Sequence, residues 1–487
     1  MISRRIKVLA PVLAISLIAA ACGDSDDDTA EPPADTADEA TGGAGDDSEE
    51  VTDQPSGEMT EDTGDTAAPA TVPEGGELPE TSEDAIIITG PERDESEAGS
   101  IQEVLGAWGA DNGVEVVYLG DANWEANINV QVAGGNPPDI SIFPQPGKLA
   151  EFARAGDVVA LADVAATATA DNWSEAWTVF GNVDGTQVGV PVKSDLKSLV
   201  WYQPARFEAA GYAVPETFDE FTALIDQMLA DGGPKPLCVG IESGQATGWT
   251  YTDWVEDMVL RQHGPEVYDQ WVSHEIPFND ERIVESMQTV LDLWTEDNVY
   301  ANSGTIAATA FQDNGGPLVN GDCYMHRQAS FYSAFIPEGT AFADGSEDAV
   351  DVFYFPDIDG SKPVLGAGTL AAAFNDRPEV HELLAYMATP DYAEARQTAQ
   401  QALKGGGDAL SGFLSAVNGQ DPSVYQPLEQ SFLDILSESA IVRFDASDLM
   451  PADVGAGSFW TEGTSAVNGD ITAQEAADTI EASWPAG

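Results

Sequence analysis

Short apolar runs alternate with amphipathic stretches from Ala85 onward. Ala85-Ile86-Ile87-Ile88-Thr89 predicts a buried strand stopped by Gly90-Pro91, and Ser100 to Ala110 predicts a helix. Val114-Glu115-Val116-Val117-Tyr118 reads as the next strand. A helix over Trp124 to Val132 should halt at Gly134-Gly135-Asn136-Pro137-Pro138, before the strand Asp139-Ile140-Ser141-Ile142-Phe143. Strands of this length separated by helices of about 10 to 15 residues indicate βαβ units and a mainly parallel sheet. Ligands of such sheets bind outside the carboxyl ends of the strands. Two loops are thereby singled out, Pro91-Glu92-Arg93-Asp94 and Pro144-Gln145-Pro146-Gly147. Near the other end, Ile471 to Asp478 reads as a capped amphipathic helix that serves packing.

The N-terminal pattern is different. Arg4, Arg5 and Lys7 precede an apolar run from Val8 to Ala21 that closes on Ala19-Ala20-Ala21. A positive start, about 14 apolar residues and a small-residue cleavage site make a secretory signal. The run falls short of the roughly 20 residues a membrane-spanning helix needs. Cys22 directly after the small residues resembles the lipobox of bacterial lipoproteins, in which that Cys is lipidated and becomes the mature N-terminus. From Gly23 to Asp84 the chain is rich in Asp and Glu and has no Lys or Arg. Such a segment is expected to be a disordered, self-repelling spacer. Residues 1–21 are thus assigned as signal and 22–84 as lipid attachment and linker, placing the rest outside the cytoplasmic membrane.

Charge narrows the partners. The chain of 487 residues carries 85 Asp and Glu against 18 Lys and Arg, a formal net charge of -67. Nucleic acid is excluded as a partner, since phosphate contacts need clustered Lys and Arg. Adsorption to anionic lipid is disfavoured as well. About 400 residues after the linker exceed one ordinary core, so two lobes are expected. Cys238 and Cys323 are the two cysteines of this part, read as one disulfide in an oxidising compartment, with a catalytic thiol as the alternative. His263, His274, His326 and His381 are scattered without metal-ligand spacing, so no metal site is expected.

Motifs for catalysis are missing from the pattern. The chain has no Gly-x-Ser-x-Gly elbow, phosphate loop or His-Glu-x-x-His. In Lys404-Gly405-Gly406-Gly407-Asp408 the lysine stands before the glycines, which reads as a flexible turn. No catalytic residue and no cofactor is expected. Carboxylate abundance by itself is weak support for glycan hydrolysis.

Several stretches in order carry a family resemblance. Gly189-Val190-Pro191-Val192-Lys193-Ser194-Asp195-Leu196-Lys197-Ser198-Leu199-Val200-Trp201-Tyr202 leads into Phe207-Glu208-Ala209-Ala210-Gly211-Tyr212 and Pro215-Glu216-Thr217-Phe218-Asp219-Glu220-Phe221. This resembles the entry to the second lobe of family 1 extracellular solute-binding proteins, the capture components of ATP-driven importers. Gly134 to Ile140 is similar to the family's Gly-x-x-Pro-Asp-hydrophobic turn. Pro236 to Ser243, Gly248 to Trp254 and Cys323 to Phe331 look like its α-glucoside-binding branch.

The resemblance implies an α/β fold of the two-lobed periplasmic-binding-protein type (type II), hinged, with ligand in the cleft between lobes. Lobe one would comprise 85–194 plus 363–404 and lobe two 195–362 plus 405–487. Crossings would fall near Lys193 to Lys197, Lys362 to Gly368 and Lys404 to Asp408. It also implies site residues. Trp460 matches a late sugar-stacking aromatic, and Trp249, with Tyr251, Asp253 and Trp254 after it, sits in the second-lobe loop. Arg327, Gln328 and Phe331 fall on a mid-chain contact segment that lacks the Trp usual in maltose-type relatives. Glu92 and Arg93 occupy the first loop, Phe143 and Gln145 the third. Asp195 or Lys197 stands at the first crossing. Aromatic side chains suit the apolar faces of a pyranose, and polar ones its hydroxyl edge.

The function expected is a lipid-anchored, monomeric binding protein that hands an oligosaccharide, an α-glucoside, to separate ABC permease and ATPase chains. A secreted two-carboxylate glycan-acting enzyme is the competing class. A third reading keeps the fold and replaces the sugar by a polyamine, a metal or a compatible solute.

Overall fold

The computed structural model describes residues 81–485, apart from 83, and the backbone of a two-residue strand, Ala70–Thr71. The signal, Cys22 and nearly all of the acidic linker lie outside the described residues.

Apolar runs bounded by Gly and Pro form the first strands. These are β1 (Ile86–Gly90), β2 (Val116–Gly120) and β3 (Ile140–Phe143), joined by helices α1 (Glu95–Asn112) and α2 (Trp124–Ala133) and followed by α3 (Pro146–Ala155). Asp94 caps α1 by accepting hydrogen bonds from the Ser96 and Glu97 amides at 2.9 and 3.1 Å. The helix therefore begins one turn before the stretch that periodicity alone marks. Ala70–Thr71 pairs in parallel with β2, so part of the expected spacer adds an edge strand.

Next come β4 (Gly189–Leu196) and β5 (Leu199–Tyr202), then β6 (Lys235–Cys238), the long helix α4 (Trp249–Val272), β7 (Val299–Tyr300), β8 (Cys323–Arg327) and β9 (Asp351–Tyr354). The chain returns through β10 (Val364–Ala373), α5 (Pro390–Leu403) and the short β11 (Val442–Phe444). The first sheet is seven-stranded, in the order Ala70–Thr71, β2, β1, β3, β10, β11, with β4 on β10. It is parallel through β1, β2 and β3, while β10 runs antiparallel to β3 and β4. The second sheet has five strands, β7-β6-β8-β5-β9. Strand β11 lies in the stretch read from sequence as lobe two, yet it pairs with β10 of the first sheet.

Each sheet has its own core. Ile86, Ile88, Tyr118, Ile140 and Val190 pack with helices of the first lobe, and Val200, Leu237, Tyr251, Val255 and Met325 within the second. Cys238 and Cys323 join β6 to β8 through a disulfide with a Cα–Cα distance of 5.5 Å. The C-terminal helix Ala473–Ser483 opens with a capping box between Thr472 and Glu475.

The chain passes from the first sheet to the second through Lys197 and Ser198 alone, between β4 and β5. The return from β9 to β10 runs alongside. The Lys197 amide donates to the Leu365 carbonyl at 2.8 Å, and the Leu365 and Phe355 amides donate to the hydroxyl and carbonyl of Ser198 at 2.9 Å each. A further stretch packs on β4, where the Ser194 amide donates to the Leu414 carbonyl at 2.9 Å.

Candidate functional site

Between the two sheets lies an open cleft whose lining is drawn from both of them. Loops at the carboxyl ends of β1 and β3 supply Glu92, Arg93, Asp94 and Gln145, and α1 and α2 add Glu97 and Glu125. Strand β4 contributes Lys193 and Asp195, the crossing Lys197, and β10 Thr369. The second lobe brings Trp249, Asp253, Phe311, Phe331 and Phe335. Asp445, Asp448 and Trp460 close the site from the C-terminal region.

Backbone packing aims these groups. The Tyr118 hydroxyl donates to the Glu92 carbonyl at 2.9 Å, and a Cβ on Gly120 would stand 2.3 Å from that carbonyl oxygen. Only glycine leaves the Glu92 loop this close to β2. Gly248, at φ 113°, precedes α4, and its missing Cβ would meet the Trp460 carbonyl oxygen at 2.4 Å. That contact brings Trp249 and Trp460 onto one site.

Two ammonium groups organise the floor. Lys193 Nζ lies 3.2 Å from Glu92, 3.6 Å from Glu97, 3.9 Å from Asp195 and 5.3 Å from the Phe331 ring centre. Arg396 of α5 backs the same Glu92 carboxylate at 3.7 Å. Lys197 Nζ donates to Asp253 at 2.8 Å and to Asp445 at 2.6 Å, and sits 5.6 Å from the Trp249 ring centre. Burial would pull Lys193 down, but Asp195, Glu92 and Glu97 outweigh it and hold the group above the ordinary lysine value. Burial acts on Lys197 the same way and is overcome by Asp253 and Asp445. Burial raises Asp253 against the pull of Lys197, and it raises Asp448 with Asp445 adding to the effect. For Asp445 the order reverses: burial opposes, yet Lys197 and donated hydrogen bonds bring it below the usual carboxylate range.

After these pairings, several buried polar atoms of the lining have no hydrogen-bond partner among the described residues. They are Asp94 Oδ2, Gln145 Oε1, Asp195 Oδ1, Asp253 Oδ2, Thr369 Oγ1 and Trp460 Nε1. Buried polar groups of native proteins are hydrogen-bonded, so these six atoms leave hydrogen-bonding capacity on the residues that line the cavity. Trp249 lies beside them, 5.0 Å from Phe311 and 6.0 Å from Phe331 between ring centres. Aromatic faces next to acceptor-rich polar atoms can hold a molecule with apolar ring faces and hydroxyl edges.

Nine residues marked by the sequence line this cleft: Glu92, Arg93, Gln145, Asp195, Lys197, Trp249, Asp253, Phe331 and Trp460. Four do not. Phe143 packs edge-on against Trp124 at 5.2 Å, because the last residue of β3 faces the core. Tyr251 is fully buried, its hydroxyl donating to the Met287 carbonyl. Arg327 binds Asp257 at 2.6 Å beneath Asp253 rather than facing the cavity. Gln328 turns back, its Oε1 accepting from the Ala329 amide at 2.8 Å. The structure adds Glu125, Phe311, Phe335, Thr369, Asp445 and Asp448. Of these, Asp445 alone had a signal, as the cap of the short helix Ala446–Leu449; its side chain accepts from the Asp448 amide at 2.9 Å. Cleft-facing Phe311 and Phe335 look in sequence like any core aromatic.

Known proteins share this architecture. The profile of bacterial extracellular solute-binding proteins matches residues 94–394. The osmoprotective compounds-binding protein GgtB of Synechocystis sp. is 38% identical over 392 residues, 79% of this chain and 89% of that one. The alpha-glucosides-binding periplasmic protein AglE of Rhizobium meliloti is 37% identical over 416 residues, 82% and 86% of the two chains. Among solved structures, the bacterial solute receptor AcbH superposes with a TM-score of 0.68 at 17% identity, over 82% of this chain and 97% of that one. AcbH is described as having an exclusive preference for β-D-galactopyranose.

Proposed function

The chain belongs to the bacterial extracellular solute-binding protein family, and from that premise we propose that it captures an α-linked glucoside for an ABC sugar importer. The protein performs no chemistry; its lobes close on the sugar about the Lys197-Ser198 crossing, and the loaded monomer presents it to a membrane permease. Lipid on Cys22 tethers it outside the cytoplasmic membrane, with the acidic linker as spacer. No helix among the described residues is long and apolar enough to cross a membrane.

The convergence of six unpartnered polar atoms on a cavity beside Trp249 and Trp460 carries this reading. Four of the six are pure acceptors, so the ligand must be rich in donors, as a glycoside is and a betaine is not. The likeness to AglE supports the α-glucoside; the equal likeness to GgtB supports a second reading, a compatible solute.

Thermal shift against maltose, trehalose, sucrose, longer α-glucosides, spermidine and glycine betaine separates the two. Ligand binding raises the apparent melting temperature by mass action. A shift with an α-glucoside recovered intact is the expected result. A shift with betaine and none with any sugar would overturn the α-glucoside assignment.

A further inference from the structure

The cleft is one-sided in charge. Eight acidic side chains line it against three basic ones. Two of the basic groups are already engaged, Lys193 with Glu92 at 3.2 Å and Lys197 with Asp253 and Asp445. Both ammonium groups also lie over aromatic rings of the lining. Of the lining cations, Arg93 has no ion pair among the described residues.

Glu125 and Asp448 stand out among the acids. Both line the cavity with Trp460, and neither carboxyl group has an ion pair or a side-chain donor among the described residues. Burial holds both above the ordinary carboxylate pKa, with Asp445 adding at Asp448, and outweighs the pull of Lys148 and Arg93 on Glu125 and of Lys197 on Asp448. Independent of this pair, Asp195 Oδ1 lacks a hydrogen-bond partner among the described residues on a residue only 6% exposed, whereas Asp253 Oδ2 lies 4.0 Å from the Arg327 guanidinium. The free capacity of the cleft is thus mostly for hydrogen-bond donors, and for positive charge.

We propose that the cleft selects its solute by charge: an amine-bearing glycoside binds more tightly than its neutral parent, and a carboxylate-bearing one is excluded. The proposal deepens the sugar reading of the same cleft and rests on it for the glycoside. An ammonium in place of one hydroxyl offers three donors and no acceptor, matching what Glu125, Asp448 and the unpartnered carboxylate oxygens present. A carboxylate in the same position would be desolvated among like charges, with Arg93 as the lining cation that has no ion pair among the described residues.

Calorimetric titration of the purified protein with a matched series tests this: an α-glucoside, its analogue with one glucosamine unit and its analogue with one glucuronate unit. At low salt the amine should bind roughly tenfold tighter than the neutral sugar, and the glucuronate at least about tenfold weaker. Asp448→Asn and Glu125→Gln should each bring the amine-to-neutral ratio toward one. Equal affinity across the series, or a glucuronate that matches the neutral sugar, would overturn the charge rule while leaving the sugar reading intact. Should no glycoside bind and spermidine bind instead, the sugar reading falls and the charge rule stands. Binding of betaine alone, or of none of these probes, would overturn both.

Discussion

Lys197 shows at the scale of one residue how the site is held. Its ammonium is the shared partner of two carboxylates that are each about 2% exposed at the side chain, so removing it strands both. Lys197→Met is expected to destabilise the protein by about 3–5 kcal/mol, because breaking a buried pair leaves an uncompensated charge. Urea denaturation at neutral pH checks this, and a loss below about 1 kcal/mol, the usual worth of an exposed pair, would contradict the geometry. Trp249→Ala should behave in the opposite sense. The ring is half-buried and faces the cleft, so α-glucoside affinity should fall on the order of tenfold or more, with a smaller loss of stability than in Lys197→Met. An unchanged affinity would remove Trp249 from the site. Trp249 and Lys197 were legible because each sits in a recognisable segment at a strand or helix boundary. Arg327 was not distinguishable from a ligand contact, since nothing local in the sequence shows that Asp257, one helix away, captures its guanidinium 2.6 Å off.

Element by element, the apolar runs closed by Gly and Pro identified β1 and β3 within a residue or two, because burial on both faces leaves little choice of composition. Strand β11 has three residues and carries Arg443 in its middle, so no such signal exists; its place is set by pairing with β10. The disulfided pair β6 and β8 yields two predictions. Cys238 and Cys323 are 85 residues apart, and closing a loop of that length is worth at most about 4.5 kcal/mol in a chain-entropy estimate. Reduction should therefore lower the denaturation midpoint of the second lobe, while an unchanged midpoint in the presence of reductant would show that the bridge contributes nothing. His326 adds a pH dependence on the same strand. Its Nδ1 contacts the Cys238 carbonyl at 2.9 Å, and burial, with a smaller push from Arg327, lowers its pKa to about 4. Below the ordinary histidine value near 6.5 the unfolded chain takes up a proton that the fold refuses until about pH 4. Stability contributed by the neutral ring is thus full above pH 6.5 and lost between there and pH 4, on the order of 3 kcal/mol. Unfolding free energies of the native protein and of His326→Gln, compared at pH 7 and pH 5, should converge as pH falls.

Over the whole molecule, the two-lobed architecture was legible from chain length and from ordered family segments, but the sharing of β10 by β3, β4 and β11 was not, since it depends on contacts between residues far apart in sequence. Charge, in contrast, is written plainly in composition and has a global consequence. The chain carries -67 net, and five of its few basic groups, Lys193, Lys197, Arg261, Arg327 and Arg396, are buried with acidic partners. Those cations do nothing to neutralise the surface, which is left to repel itself across the folded shape. Screening length falls from about 10 Å at 0.1 M salt to about 3 Å at 1 M, so added salt should relieve that repulsion while leaving the buried pairs intact. The melting temperature is expected to rise by several degrees between about 0.05 and 1 M sodium chloride, steeply at first and then levelling as screening saturates. Potassium chloride at the same ionic strength should give the same curve. A rise that appears with sulfate but not with chloride would point to exclusion of the salt from the surface instead, and a flat or falling curve in chloride would show that surface repulsion is no part of this protein's stability.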